Sequence, residues 1–244
     1  DGRIFVADTD NSRVLVLDVE GEIQSIIEGE LSRDAALHFV EPVDLAVDAA
    51  GLLHVLDPAL ARLLRIDPTD GSRTVLPIAA EYLDRSRGLS IGPGDVIWIA
   101  NTPNRRVAAF DRDGLLLHEF FIPDVDAQPV DVVVASDGTR YVSDAGLHRL
   151  LRYTANGDLA ETREMPRSNS VNGPHLALRA NGSLLVSEPE TGRIVELDAR
   201  GIRRAAWTLP MAGQEPAKPV GIAVDPAGRV WTVDSNLNRV VRLE

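Results

Sequence analysis

Arg140-Tyr-Val-Ser-Asp144-Ala-Gly-Leu-His-Arg149-Leu-Leu-Arg-Tyr153 is an apolar strand ending in an acid, a four-residue loop, then Arg and a second apolar strand. The same spacing pairs Asp8 with Arg13, Asp57 with Arg62, Asn101 with Arg106, Glu188 with Arg193 and Asp234 with Arg239. Successive first members lie 43 to 49 residues apart. A period of that length built from short strands predicts an all-β, six-bladed β-propeller of four-stranded antiparallel blades, one repeat per blade.

Working outward from the acid, the preceding strand carries three layers. One position before the acid stand Ala7, Leu56, Ala100, Ser143, Ser187 and Val233. Two before it stand Val6, Val55, Ile99, Val142, Val186 and Thr232, and three before it Phe5, His54, Trp98, Tyr141, Leu185 and Trp231. Both faces are largely apolar, as a strand sandwiched between neighbouring sheets requires. The strand after each Arg ends in a turn such as Asp111-Arg-Asp-Gly114 or Asp198-Ala-Arg-Gly201, where Gly supplies a positive φ. New blades open on Pro-x-x-apolar at Pro42, Pro129, Pro174 and Pro219, and the third opens near Arg87-Gly-Leu-Ser-Ile91 without the Pro. Pro at the first position of a strand sacrifices no ladder bond.

The repeat runs from end to end, so residues 1–244 are read as a single domain. The first blade enters at its second strand and the last stops after its third. The first and last blades are therefore incomplete, and the expectation is a segment truncated at its N-terminus, with about 20–25 upstream residues supplying the missing strands.

Composition narrows the function classes. The net charge of −12 opposes sequence-independent binding to nucleic acid and to anionic membranes. There is no cysteine, hence no disulfide, iron–sulfur ligand or thiol nucleophile. No run of about 18 apolar residues suggests a transmembrane helix. The basic residues are Arg throughout, apart from Lys218.

Pro219-Val-Gly-Ile-Ala-Val-Asp225, with Gly228-Arg-Val-Trp-Thr-Val-Asp234 and Arg239-Val-Val-Arg-Leu243, resembles an NHL repeat, and Asp8-Thr-Asp-Asn-Ser-Arg13 fits the same pattern. The resemblance covers essentially the whole chain. It implies a propeller of a kind that hosts binding modules, lyases and lactonases alike. Pro174-His175-Leu-Ala-Leu178 further resembles an inner-strand His motif of peptidylglycine amidating lyases, propellers that hold zinc with three His. One His position matches; Asp44 and Asp131 would stand in for the others. The Glu, Asn and Asp metal set of gluconolactonase-type propellers has no placeable counterpart.

The acid–Arg pairs invite a catalytic reading, yet Asn101 and Glu188 replace Asp while every Arg remains. That suits a hydrogen-bonding scaffold, since residues flanking a four-residue loop face each other across the strands. Asp44, Asp131 and His175 lie where inner strands begin. Two carboxylates and an imidazole there are a candidate set for a divalent cation, zinc or calcium; otherwise no cofactor is expected. The long connections between blades are the places for specificity. Arg87, Arg105, His148, Arg167, Asn169 and Asn172 are the candidate ligand-binding residues on the loop-bearing face, where Arg would suit a carboxylate, phosphate or acidic peptide.

The leading expectation is a non-catalytic binding or sensor module recognising a protein, peptide or glycan on that face. It would belong to a larger bacterial protein, extracellular, periplasmic or otherwise envelope-associated, with no nucleic-acid partner and no direct membrane insertion in this segment. The alternative is a metal-dependent lyase or lactonase with its site at the mouth of the central channel.

Overall fold

The computed structural model describes residues 2–30, 34–167, 173–211 and 216–243. The strands fall into six small antiparallel sheets, one for each sequence repeat, which define an all-β, six-bladed β-propeller fold. Contacts divide the chain into two compact units of three sheets each, Gly2–Val125 and Asp126–Glu244.

In the first unit the sheets are β1 (Ile4–Asp8), β2 (Arg13–Leu17) and β3 (Ile23–Glu28); then β4 (Asp44–Val47), β5 (Leu53–Asp57), β6 (Arg62–Ile66) and β7 (Arg73–Val75); then β8 (Gly88–Gly92), β9 (Val96–Asn101), β10 (Arg106–Phe110) and β11 (Leu116–Phe121). A short α-helix, α1 (Ala80–Leu83), precedes β8. In the second unit they are β12 (Pro129–Val134), β13 (Arg140–Asp144), β14 (Arg149–Tyr153) and β15 (Leu159–Glu164); β16 (Leu176–Leu178), β17 (Leu184–Glu188), β18 (Arg193–Leu197) and β19 (Arg203–Thr208); and β20 (Pro219–Val224), β21 (Val230–Asp234) and β22 (Arg239–Leu243). The first and last sheets have three strands and the others four. Among the described residues no helix is long and apolar enough to cross a membrane.

Each unit is held together by apolar layers between successive sheets. Leu56, Leu63, Ile97, Ile99 and Phe110 form one layer between the second and third sheets, and Val133, Leu150, Leu184, Val186 and Val195 form its counterpart between the fourth and fifth. Each such side chain contributes about 1.5–3 kcal/mol by leaving water. This explains why the strand before each acid is apolar on both faces.

All six acid–Arg positions stand opposite each other in register. Arg13, Arg149, Arg193 and Arg239 pair directly with Asp8, Asp144, Glu188 and Asp234, at 2.7, 2.9, 2.7 and 3.1 Å. In the second and third sheets the guanidinium turns elsewhere. Arg62 donates to the carbonyls of Ala36 and His38, and Arg106 donates to Glu119 and to the Glu81 carbonyl. The acid keeps a backbone duty: Asp57, Asp144 and Asp234 accept the N–H of Val40, Gln128 and Lys218, each just ahead of an inner-strand Pro. The pairs are loop and strand architecture.

Candidate functional site at the heads of the inner strands

One rung of each inner strand decides where the candidate ligands stand. Asp44 lies opposite Leu56, Gly88 opposite Ala100, Asp131 opposite Ser143 and Gly221 opposite Val233, in every case the residue just before the acid or, in the third sheet, before Asn101. His175 takes this rung in the fifth sheet. Its carbonyl accepts the Ser187 N–H at 2.9 Å, and its N–H donates to Ser187 Oγ at 2.7 Å. By sequence count His175 follows its Pro one place sooner than Asp131 does. The difference is a register shift between Pro129 and Asp131 in the fourth sheet; with Leu176 opposite Val186 and His175 bonded to Ser187, His175 and Asp131 occupy equivalent rungs.

The second unit brings these two together. His175 Nδ1 lies 3.5 Å from Asp131 Oδ2, with the imidazole largely buried and Asp131 4 % exposed. Asp131 Oδ1 accepts the N–H of Val132 at 2.7 Å, and Oδ2 accepts that of Leu176 at 2.8 Å on the next inner strand. Ser143 Oγ accepts the Asp131 N–H at 3.1 Å and donates to the Pro174 carbonyl at 2.6 Å. The imidazole therefore sits against a carboxylate in a cradle of satisfied backbone groups.

Asp44, in the first unit, does for its own sheets what Asp131 does for the others. Its Oδ1 accepts from Leu45 at 2.8 Å, and its Oδ2 accepts from Leu89, on the next inner strand, at 2.7 Å. Both aspartates are thus inter-sheet staples. A carboxylate oxygen has two lone pairs, so a staple leaves capacity for coordination.

The loop residues have other surroundings. The residue before each Arg is left-handed: Ser12, Ala61, Arg105, His148, Gly192 and Asn238 have φ between 47° and 65°. The Arg105 and His148 carbonyls accept the N–H of Ile122 and Met165, closing the end of the outer strand, both at 2.8 Å. Arg105 also donates to the Asp124 carbonyl at 3.3 Å. Arg87 is half-buried, and its N–H donates to the Ala100 carbonyl at 3.1 Å. Arg167 is exposed, and Asn169 and Asn172 lie outside the described residues. The features missed by sequence reading are Ser143 and Ser187. Their signal was present, because Ser occupies that layer only opposite Asp131 and His175.

No protein-family model matches this chain, nor does any curated protein. Among solved structures it is similar to virginiamycin B lyase from Staphylococcus aureus, with a TM-score of 0.69 and 18% identity over 100% of this chain and 78% of that one. A protein of unknown function from Bacteroides caccae gives a TM-score of 0.72 at 13% identity, covering 100% of this chain and 90% of that one. Hydrazine synthase from Kuenenia stuttgartiensis gives 0.68 at 16% identity, covering 100% and 73%. At these identities the likeness establishes the six-bladed propeller fold.

Proposed function

We propose that this propeller is an enzyme of the lyase or lactonase type, with His175 as its working group and a divalent cation as its aid. The observation that carries the reading is the buried approach of His175 Nδ1 to Asp131 Oδ2 at 3.5 Å. A carboxylate beside Nδ1 favours the tautomer that protonates it, which leaves Nε2 as a base or a metal ligand. Imidazole and carboxylate donors suit zinc better than calcium, which takes six to eight oxygens. Through Nε2, His175 would hold the ion, with Asp131 behind Nδ1 orienting the ring, and Asp44 is the further ligand expected from sequence. Such an ion supplies Lewis acidity towards a carbonyl or lactone oxygen. Proteins of the same fold include a streptogramin B lyase and a virginiamycin B lyase made catalytically inactive by a His-to-Ala change and studied with quinupristin.

Elemental analysis of protein purified without chelator tests this directly, together with turnover assays on lactones and on quinupristin. Stoichiometric metal that is lost in His175→Ala, and reduced in Asp131→Asn or Asp44→Asn, is the expected result. Metal-free protein without turnover on that panel would overturn the reading. It would favour recognition of a protein, peptide or glycan on the loop-bearing face. Arg87, Arg105, His148 and Arg167 remain the proposed contacts there.

A further inference from the structure

Ser143 and Ser187 are fully buried in a layer that is Ala, Leu or Val in every other sheet. The fold does not need hydroxyls there: Ala100 and Val233 occupy the equivalent rungs of their sheets. Burying a hydroxyl without use is costly, and both of these are used on the backbone around His175. Ser143 Oγ donates to the Pro174 carbonyl at 2.6 Å, and Ser187 Oγ accepts the His175 N–H at 2.7 Å. Asp131 Oδ2 takes the Leu176 N–H at 2.8 Å, and Ser187 N–H binds the His175 carbonyl at 2.9 Å. Four consecutive backbone groups, from the Pro174 carbonyl to the Leu176 N–H, are thereby tied to the fourth and fifth sheets. The same Ser143 oxygen accepts the Asp131 N–H at 3.1 Å, so one hydroxyl sets both members of the pair.

We infer that Ser143 and Ser187 are positioning residues that hold His175 with Nδ1 against Asp131. The inference deepens the proposed function and rests on it for the importance of His175, but its test reads the imidazole itself. In chelator-treated protein labelled with 15N-histidine at about pH 8, above the ordinary histidine range of about 6.5, long-range 15N–1H spectra report the tautomer. The His175 signals are assigned by their loss in His175→Gln. The wild-type protein should show the Nδ1–H tautomer. Ser143→Ala and Ser187→Ala should shift the 15N pair towards averaged values, and Ser143→Thr and Ser187→Thr, which keep the hydroxyl, should restore it.

An Nε2–H tautomer in the wild-type protein would overturn the inference, and that measurement needs no variant to fold. An unchanged signature in folded Ala variants, judged by their amide spectra, would overturn it equally. Metal content and turnover are read separately. An Nδ1–H tautomer lost in the Ala variants of a metal-free, inactive protein upholds the positioning and sinks only the enzymatic reading.

Discussion

Asp225 shows how one carboxylate organises a turn. It accepts N–H groups from Ala227 and Arg229, both at 2.9 Å, the Arg229 guanidinium at 2.6 Å and the Trp231 indole at 3.1 Å. Burial raises its pKa, but the Trp231 and Arg229 donors outweigh burial and bring it to about 2. Its stabilising effect is full above the unfolded value of 3.8 and is lost as pH falls through about 2. Asp225→Asn should cost about 2 kcal/mol in urea denaturation at neutral pH. The variant should also lose less stability than the wild-type protein between pH 3.8 and about 2. His54 holds the same station in the second sheet, its Nε2 3.1 Å from Asp48 Oδ2 and the residue 2 % exposed. Burial pushes its pKa below the ordinary 6.5, against the pull of Asp48. The neutral imidazole therefore contributes fully above 6.5, and stability falls as pH drops below that value. Denaturation midpoints of His54→Phe should lack this decline below pH 6.5; an equal decline would assign it to other groups.

At the scale of the element, the acid–Arg loop divides its work unequally between its two members. Asp144 is fully buried, and besides Arg149 at 2.9 Å it takes the N–H of Gln128 at 2.8 Å and of Leu147 at 3.3 Å. Asp144→Ala should therefore cost about 3 kcal/mol, because it removes the acceptor of the Gln128 N–H and the buried carboxylate that faces Arg149. Arg149→Ala should cost less, since the carboxylate keeps two backbone donors. A double-mutant cycle by urea denaturation measures the coupling, and an Arg149 cost as large as that of Asp144 would make the ion pair the main contribution. The loops were legible in the sequence because a four-residue spacing forces the flanking residues opposite each other. The departures of Arg62 and Arg106 were not, because their acceptors are carbonyls of the connections and α1, with the Glu119 carboxylate besides for Arg106, and no local spacing encodes the course of those segments. The equivalence of His175 with Asp131 was hidden for a related reason. A one-residue register shift changes the rung without changing the motif. Of the candidate site, residue types and strands were legible, while the serine hydroxyls became meaningful only with the register.

For the whole molecule, six concordant repeats made the fold readable, since each repeat supports the same strands and turns independently of the others. Charge acts at this scale as well. The chain carries 37 acidic against 25 basic side chains, and many of the basic groups are committed to internal contacts such as Arg73 with the Glu28 carbonyl at 2.6 Å. The net −12 leaves self-repulsion that folding compresses. Raising ionic strength from about 0.01 M to about 0.15 M shortens the screening length from about 30 Å to about 8 Å, which weakens this repulsion. Paired groups in contact, such as Arg193 and Glu188 at 2.7 Å, are far less affected. The thermal midpoint at neutral pH should therefore rise with salt over that range. Sodium chloride and sodium sulfate compared at equal ionic strength separate screening from the burial-strengthening effect of sulfate. A midpoint that fell with sodium chloride would mean that the favourable ion pairs outweigh the net repulsion, and neutralising exposed acids such as Glu20 or Asp113 would then destabilise the fold rather than relieve it.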